Sequence, residues 1–338
     1  MARNTNITIR DVANHAGVST ATVSRVISGD GYVSDATRDK VEKSIKKLGY
    51  SPSYAAQSLR TQKSTVIGLI ITDIKNPFYP ELVSSVEEEA RNRGYSLILC
   101  NSQEDIDREI AYLDYLDSHR TDGLLICAPG FATRQRKRLR QFRGTVVLLN
   151  ENAGDAEFST VSTNNYQGGK QIGSHLKLIG HRKIFYLGTR RESEDGYPRL
   201  QGVRTGSGID AKFIETDDFG DDLEGLAEAI LQVSKPPFAV VGHNDVMAIS
   251  IMHELMNRGF KIPGEISVIG YDDIELSKMV NPALTTVNQR QSQFGKWGMD
   301  LFEDVGNDKR VVKTREVTPE LIIRDSSGEL VKSGKGKP

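Results

Sequence analysis

From residue 66 onward, short apolar runs alternate with longer stretches of helical periodicity, and that alternation leaves few folds open. VIGLIIT (66–72), YSLILCN (95–101), GLLICA (123–128) and TVVLLN (145–150) read as strands apolar on both faces, the pattern of a buried parallel sheet. Segments near 79–93, 105–119 and 132–142 read as the helices between them. A second series has strands near 183–188, 238–242 and 266–271, with helices near 165–178, 221–233 and 244–258. Two such series predict two doubly wound α/β lobes facing across a cleft.

The first fifty residues follow a different pattern. Thr8 can cap a helix over Ile9–Ala16, whose Ile9, Val12, Ala13 and Ala16 share one face, and Gly17 ends it. Ser19 can cap a second helix over Thr20–Ser28 with Val23, Val26 and Ile27 inward and Thr20, Ala21, Ser24 and Arg25 outward. A third starts after Ser34, runs to Leu48 and stops at Gly49, carrying Lys40, Lys43, Lys46 and Lys47. Two short helices joined at a glycine fit a helix-turn-helix, and the small, polar outer face of the second fits a major groove. Periodicity alone fits a plain three-helix bundle equally well. Charge is divided along the chain: residues 1–60 hold nine Lys and Arg against five acids, net +4, while the whole chain is −1, which leaves −5 for the remainder. A basic head on an acidic body suits a polyanion as partner of the head only.

ITIRDVANHAGVSTATVSRVISG, followed from Ser34 by SDATRDKVEKSIKKLGYSPSYAAQSLR, resembles the head of the LacI/GalR family of bacterial transcriptional repressors. The likeness continues through NPFY, RLQGV, HND, GYDD and PALTTVNQ in order. The resemblance implies an all-α helix-turn-helix head on a body of two doubly wound lobes of periplasmic-binding-protein type. The domains are then a head at 1–50, a hinge helix and linker at 51–63, a two-lobed effector-binding and dimerisation domain at 64–330, and a polar tail at 331–338. Lobe one takes about 64–160 and 290–316 and lobe two about 161–288 and 318–330, with crossings near 160, 289 and 317. By matching position, Thr20, Ala21 and Arg25 reach base edges and Ser19, Thr22 and Ser24 lie near phosphates, with Thr8 and Ala56 also counted as DNA contacts. Leu59 matches a leucine that wedges into the minor groove at the end of the hinge segment SPSYAAQSL, which is too short to be a stable helix alone.

Ligands of open α/β sheets bind beyond the carboxyl ends of the strands. That rule singles out the loop 73–79, Asn150, Asn244 and Asp245, and Asp272 and Asp273, with Arg199 after the YLG strand and Gln289 at a crossing. Carboxylates and carboxamides suit neighbouring hydroxyls, and an aromatic ring suits a sugar's C–H face. Each also has an ordinary role open to it: Asn76 and Asp245 as helix caps, Phe78 and Tyr79 as packing, Arg199 as a surface ion pair. The resemblance carries over Phe78, Arg199, Asn244, Asp272 and Gln289 as effector contacts. Three departures accompany it. Asn150 and Asn164 stand where many relatives have Asp, and Arg204-Thr205-Gly206-Ser207-Gly208 interrupts a segment that normally continues as helix. Two glycines in three residues oppose helix continuation there, so the expectation is a truncated outer helix in the second lobe.

Enzymatic readings find no support in motif: GxGxxG after the first strand, GxxxxGK[ST], GxSxG and HExxH are all missing. His243 is the histidine nearest the cleft. Cys100 and Cys127 each close an apolar run, which predicts buried thiols rather than a disulfide or metal site. No cofactor and no membrane partner are expected. The expected partners are operator DNA, a small effector, most simply a sugar, and a second copy in a homodimer, in the cytoplasm. Alternatives are a global carbon regulator whose corepressor is a phosphorylated carrier protein, and a nucleoside- or purine-responsive repressor.

Overall fold

A computed structural model describes residues 7–29, 31–50, 63–127, 133–150, 157–188, 197–216, 222–307 and 312–329. The chain divides into two compact units, Met1–Thr65 and Val66–Pro338. In the first, α1 (Ile9–Ala16) opens on a capping box: Thr8 N–H donates to the Asp11 carboxylate at 2.8 Å, and Asp11 N–H to Thr8 Oγ1 at 3.4 Å. Gly17, at φ +68°, makes the tight turn that a side chain would strain. Ser19 then caps α2 (Thr20–Ser28) by accepting from Thr22 N–H at 3.1 Å. With α3 (Asp35–Leu48) these helices close over Val12, Ala13, Val23, Val26 and Val41. Each buried valine contributes about 1.5–3 kcal/mol, so this small core carries the unit. His15 and Ser44 add a bond between α1 and α3 at 2.9 Å.

The second unit begins with β1 (Val66–Ile71), α4 (Phe78–Asn92), β2 (Ser96–Asn101), α5 (Ile106–Ser118), β3 (Gly123–Cys127), α6 (Thr133–Arg140), β4 (Thr145–Leu149) and β5 (Ser159–Thr163). It continues with α7 (Asn165–Leu178), β6 (Ile184–Gly188), α8 (Tyr197–Ser207), β7 (Lys212–Glu215), α9 (Leu223–Val233), β8 (Phe238–Gly242), α10 (Asp245–Asn257) and β9 (Ile266–Ile269). The last elements are α11 (Leu276–Met279), β10 (Thr286–Asn288), α12 (Gln291–Asn307), β11 (Thr314–Val317) and β12 (Glu320–Ile322). One six-stranded parallel sheet runs β11-β5-β4-β3-β1-β2, and a four-stranded parallel sheet runs β7-β6-β8-β9. The first sheet is covered on both faces: Ile67, Leu69 and Ile71 pack with α4 and α12, while Ile70, Leu124 and Ile126 pack with α5 and α6. Both cysteines are buried thiols outside any disulfide, and burial pushes the Cys100 thiol up to about 11.

The truncated helix expected after Val203 is corrected. α8 runs through Arg204, Thr205 and Gly206 to Ser207 and stops only at Gly208, φ +70°. The glycines that argued against the helix are there for its packing. A methyl at Gly202 or Gly206 would strike the Tyr166 or Lys170 carbonyl of α7, and one at Gly169 or Gly173 would strike the Arg199 or Val203 carbonyl of α8. Two helices with glycines four apart thus approach backbone to backbone, and this contact outweighs glycine's intrinsic cost of about 1 kcal/mol in a helix.

The chain passes between the sheets where β5 gives way to α7, where β10 gives way to α12, and where β11 gives way to β12. These crossings are bonded side by side. Asn164 N–H donates to Val317 O at 3.0 Å, its Nδ2 to Glu316 at 2.9 Å, and β10 pairs antiparallel with β12.

Candidate operator-binding face and effector cleft

On α2, Ser19, Thr20, Ala21 and Arg25 are exposed, whereas Thr22 and Ser24 are half-buried. Thr22 Oγ1 lies 2.9 Å from Ser19 Oγ, which ties the two hydroxyls to the helix start. Thr8 is held in the capping box, so what the structure records for it is a structural role. Lys40, Lys43, Lys46 and Lys47 are exposed along α3. Ala56 and Leu59, with the expected hinge helix, lie outside the described residues.

In the body, the strand-end residues are joined by direct contacts. Arg199 sits in the first turn of α8, where Nε donates to Asn165 Oδ1 at 2.8 Å and Nη1 to the His243 carbonyl at 2.5 Å. Its guanidinium lies 3.8 Å from the centre of the Tyr271 ring, a cation–π stack on a fully buried aromatic. Tyr271 fits flat because Gly168 has no side chain in its way. His243 precedes Asn244, and Tyr271 precedes Asp272, so Arg199 touches both loops, one through the His243 carbonyl and the other through the Tyr271 ring. Asn244 is the cap of α10, accepting from Met247 N–H at 2.8 Å. Asp272 is 4 % exposed and accepts from Gln289 Nε2 at 2.6 Å. Gln289 in turn accepts from Thr163 Oγ1 at 3.0 Å, so each end of its carboxamide is engaged.

Phe78 is 4 % exposed and belongs to the core cluster that also contains Ile274, two residues past Asp272. Its ring meets Tyr79 edge-on, 5.3 Å between centroids. The Tyr79 hydroxyl accepts from Thr72 and lies within electrostatic reach of Asp272; burial and the nearby Cys127 raise its pKa well above the ordinary tyrosine value. Asn76 accepts from Phe78 N–H at 3.0 Å, a local turn bond. Asn150 stands at the end of β4 in left-handed backbone, φ +58°, and Asn164 caps α7 through Gln167 N–H at 2.8 Å.

Asp245, adjacent to Asn244, is fully buried and accepts from Ile274 N–H at 2.9 Å, Ser277 Oγ at 2.6 Å and Thr286 Oγ1. Burial pushes its carboxyl up to about 6 despite those three donors. A carboxyl raised in this way binds its proton more tightly folded than unfolded. Its cost to folding is therefore full above about pH 6 and fades toward pH 4. Asp245→Asn should cost about 1–3 kcal/mol in chemical denaturation at neutral pH, because whichever way the carboxamide turns, its N–H₂ faces at least one group that donated to the carboxylate. The gap to wild type should widen at pH 4.5, where the native carboxyl no longer carries its charging cost; a pH-independent gap would contradict the assignment.

Sequence reasoning did not single out the residues that hold the strand-end groups in place: Asn165 and Tyr271 meet Arg199, Thr163 meets Gln289, and Gln291 Nε2 donates to the Asp272 carbonyl at 2.6 Å. For Tyr271 a signal existed, since it neighbours Asp272 in a strand-like run. The others act across long sequence separations and carry none.

Comparison with known proteins decides the family. Residues 8–53 match the model for bacterial regulatory proteins of the lacI family, and residues 64–326 match that for periplasmic binding proteins and the sugar binding domain of the LacI family. The chain belongs to the LacI family. It is 33 % identical over 327 residues to the HTH-type transcriptional repressor PurR of Mannheimia succiniciproducens, covering 94 % of this chain and 98 % of that one. It is 34 % identical over 330 residues to the ribose operon repressor of Escherichia coli K12, covering 95 % and 99 %. Its fold is similar to that of the lac repressor dimer bound to operator and the anti-inducer ONPF, with a TM-score of 0.85, 24 % identity and coverage of 95 % and 99 %. No helix among the described residues is long and apolar enough to cross a membrane.

Proposed function

We propose that this LacI-family chain is a cytoplasmic, homodimeric repressor without enzymatic activity, whose affinity for operator DNA is set by a small polyhydroxylated effector bound between the lobes. The observation that carries the reading is the chain of contacts joining Arg199 to the Asn244 and Asp272 loops at strand carboxyl ends, on a protein that also carries a polar-faced α2. Thr20, Ala21 and Arg25 read base edges: Arg25 suits guanine, and the Ala21 methyl suits thymine. Two copies match the two halves of a palindromic site. In the cleft, Arg199, Asn244 and Asp272 bind the effector's hydroxyls with Phe78 toward one face, and lobe closure alters the spacing of the two heads. A purine effector is the second reading, supported by the identity to PurR.

Operator DNA selected from a random pool by the full-length protein supplies the probe. Calorimetric titration with D-ribose and with a purine base, on wild type and Asp272→Ala, tests the cleft. Hydrogen bonds to a charged group are worth roughly 1.5–3 kcal/mol, so Asp272→Ala should weaken effector binding about ten- to a hundredfold while operator affinity without effector stays near wild type. Equal effector affinity in the two proteins removes Asp272 from the site. Binding of the purine base in place of the sugar replaces the first reading by the second.

A further inference from the structure

Asp272 and Asp273 form a strained pair held almost wholly by residues of the lobe crossings. Their φ angles are +125° and +57°, values that side chains other than glycine's seldom adopt and that persist only where surrounding bonds impose them. The bonds come from the crossing segments. β10 runs beside the pair, with Asp272 N–H donating to Val287 O at 2.8 Å. Gln289 Nε2 holds the Asp272 carboxylate and Gln291 Nε2 its carbonyl, each at 2.6 Å. Asn288 Nδ2 holds the Asp273 carboxylate at 2.7 Å, and Arg324, beyond the third crossing, forms a partly buried ion pair with the same group. Among these, Gln289 does something the others do not. Its far end accepts from Thr163, the last residue of β5, so one carboxamide spans the first and second crossings while gripping Asp272. Thr163, Gln289 and Asp272 are 6 %, 1 % and 4 % exposed, so water does not compete for these bonds.

We propose that Gln289 and Thr163 form a positioning relay that passes effector occupancy of Asp272 to the lobe crossings, so that Gln289 acts as a coupling residue rather than chiefly as an effector contact. The inference rests on Asp272 binding the effector, as proposed above. An effector hydroxyl donating to the Asp272 carboxylate must share it with Gln289 Nε2. Any shift of that bond moves the carboxamide, and with it the hold on Thr163. The relay thus gives effector binding a differential contact in the two lobe arrangements, which a change of operator affinity requires.

Thr163→Val removes the hydroxyl that Gln289 accepts from, at nearly constant volume, in a residue that is not among the proposed effector contacts. In the full-length protein, D-ribose or the purine base, whichever binds, should keep its dissociation constant within about threefold, since the cleft groups are untouched. The effector-induced change in operator affinity should fall at least about fivefold, the scale of a typical coupling between sites. Thr163→Ser, which restores the hydroxyl, should recover the response. A wild-type response in Thr163→Val, or a Thr163→Ser response as weak as that of Thr163→Val, overturns the relay. A second measurement needs no effector: thermal unfolding of Asp272→Ala, Thr163→Val and the double variant. Non-additive effects that become additive in a Gln289→Leu background are expected, because the two residues communicate only through that carboxamide. Additivity in the wild-type background overturns the relay even if the effector reading stands. If neither probe binds, the relay of effector occupancy falls with the effector reading, and the cycle then decides only whether Asp272 and Thr163 are coupled through Gln289.

Discussion

A fragment beginning at Ser64 is expected to lose operator binding by at least about a thousandfold, the low end of the ratio between specific and non-specific affinity. The division of the chain gives the reason. Residues from 64 onward sum to −6, since Lys63 is lost with the +4 of residues 1–60, so what remains repels DNA, while the head carries the exposed face of α2 and the lysines of α3. The body has its own sheets and cores from Val66, so the fragment should fold and still bind effector, which separates loss of the head from loss of structure. Within the intact protein, Arg25→Ala should cost about 1–3 kcal/mol and relax preference at one base pair per half-site, whereas Lys43→Ala should weaken all DNA about equally and flatten the salt dependence. Gel-shift titrations at 50 and 200 mM salt check both. A Ser64 fragment that retained selected operator DNA would falsify the assignment of binding to the head.

Features that depend on a few neighbouring residues were legible in the sequence. The Thr8 and Ser19 caps and the glycine stops at 17 and 49 are local hydrogen-bond and backbone effects, and the structure has them where the residues are. β1 to β4 were legible because their apolar runs are continuous. β5 was not: Ser159–Thr163 is fully buried, yet its sequence STVST has one aliphatic residue, and hydroxyls at both its ends bond to groups distant in sequence, as when Ser159 Oγ accepts from Lys313 N–H. β10 and β12, three residues each, exist only because the crossings press them together. The site divides in the same way. The strand-end rule found Arg199, Asn244 and Asp272 because a loop's position follows from its strand. That Tyr271 supports Arg199 from below, or that Thr163 meets Gln289 across 126 residues of sequence, depends on tertiary contact that no local pattern encodes.

The glycines at 169 and 173 make the second large effect. Adding one carbon at Gly169 brings it into the carbonyl of Arg199, and adding one at Gly173 brings it into the carbonyl of Val203. Both obstacles are backbone atoms of a helix, so no side chain can swing aside and α7 and α8 must part. Overpacking a core usually costs about 1–3 kcal/mol, and forcing two helices apart along their whole contact belongs at or above the top of that range, so Gly169→Val and Gly173→Val should each lose about 3 kcal/mol or more in urea denaturation. Gly264→Ala, where the nearest atom is 3.5 Å away, serves as control and should stay within about 0.5 kcal/mol. The two helix variants should differ in effector binding. Gly169 pushes on the residue whose guanidinium lies between the Asn244 and Asp272 loops, while Gly173 pushes one turn further on. The milder Gly169→Ala should therefore lower effector affinity more than tenfold, because a guanidinium displaced by an ångström loses its stack on Tyr271 and its bond to His243 together, whereas Gly173→Ala should lose stability with a smaller change in affinity. If both alanine variants keep wild-type stability, the close approach of the helices is not a constraint; if both lose affinity equally, Arg199 is not set by the packing at Gly169.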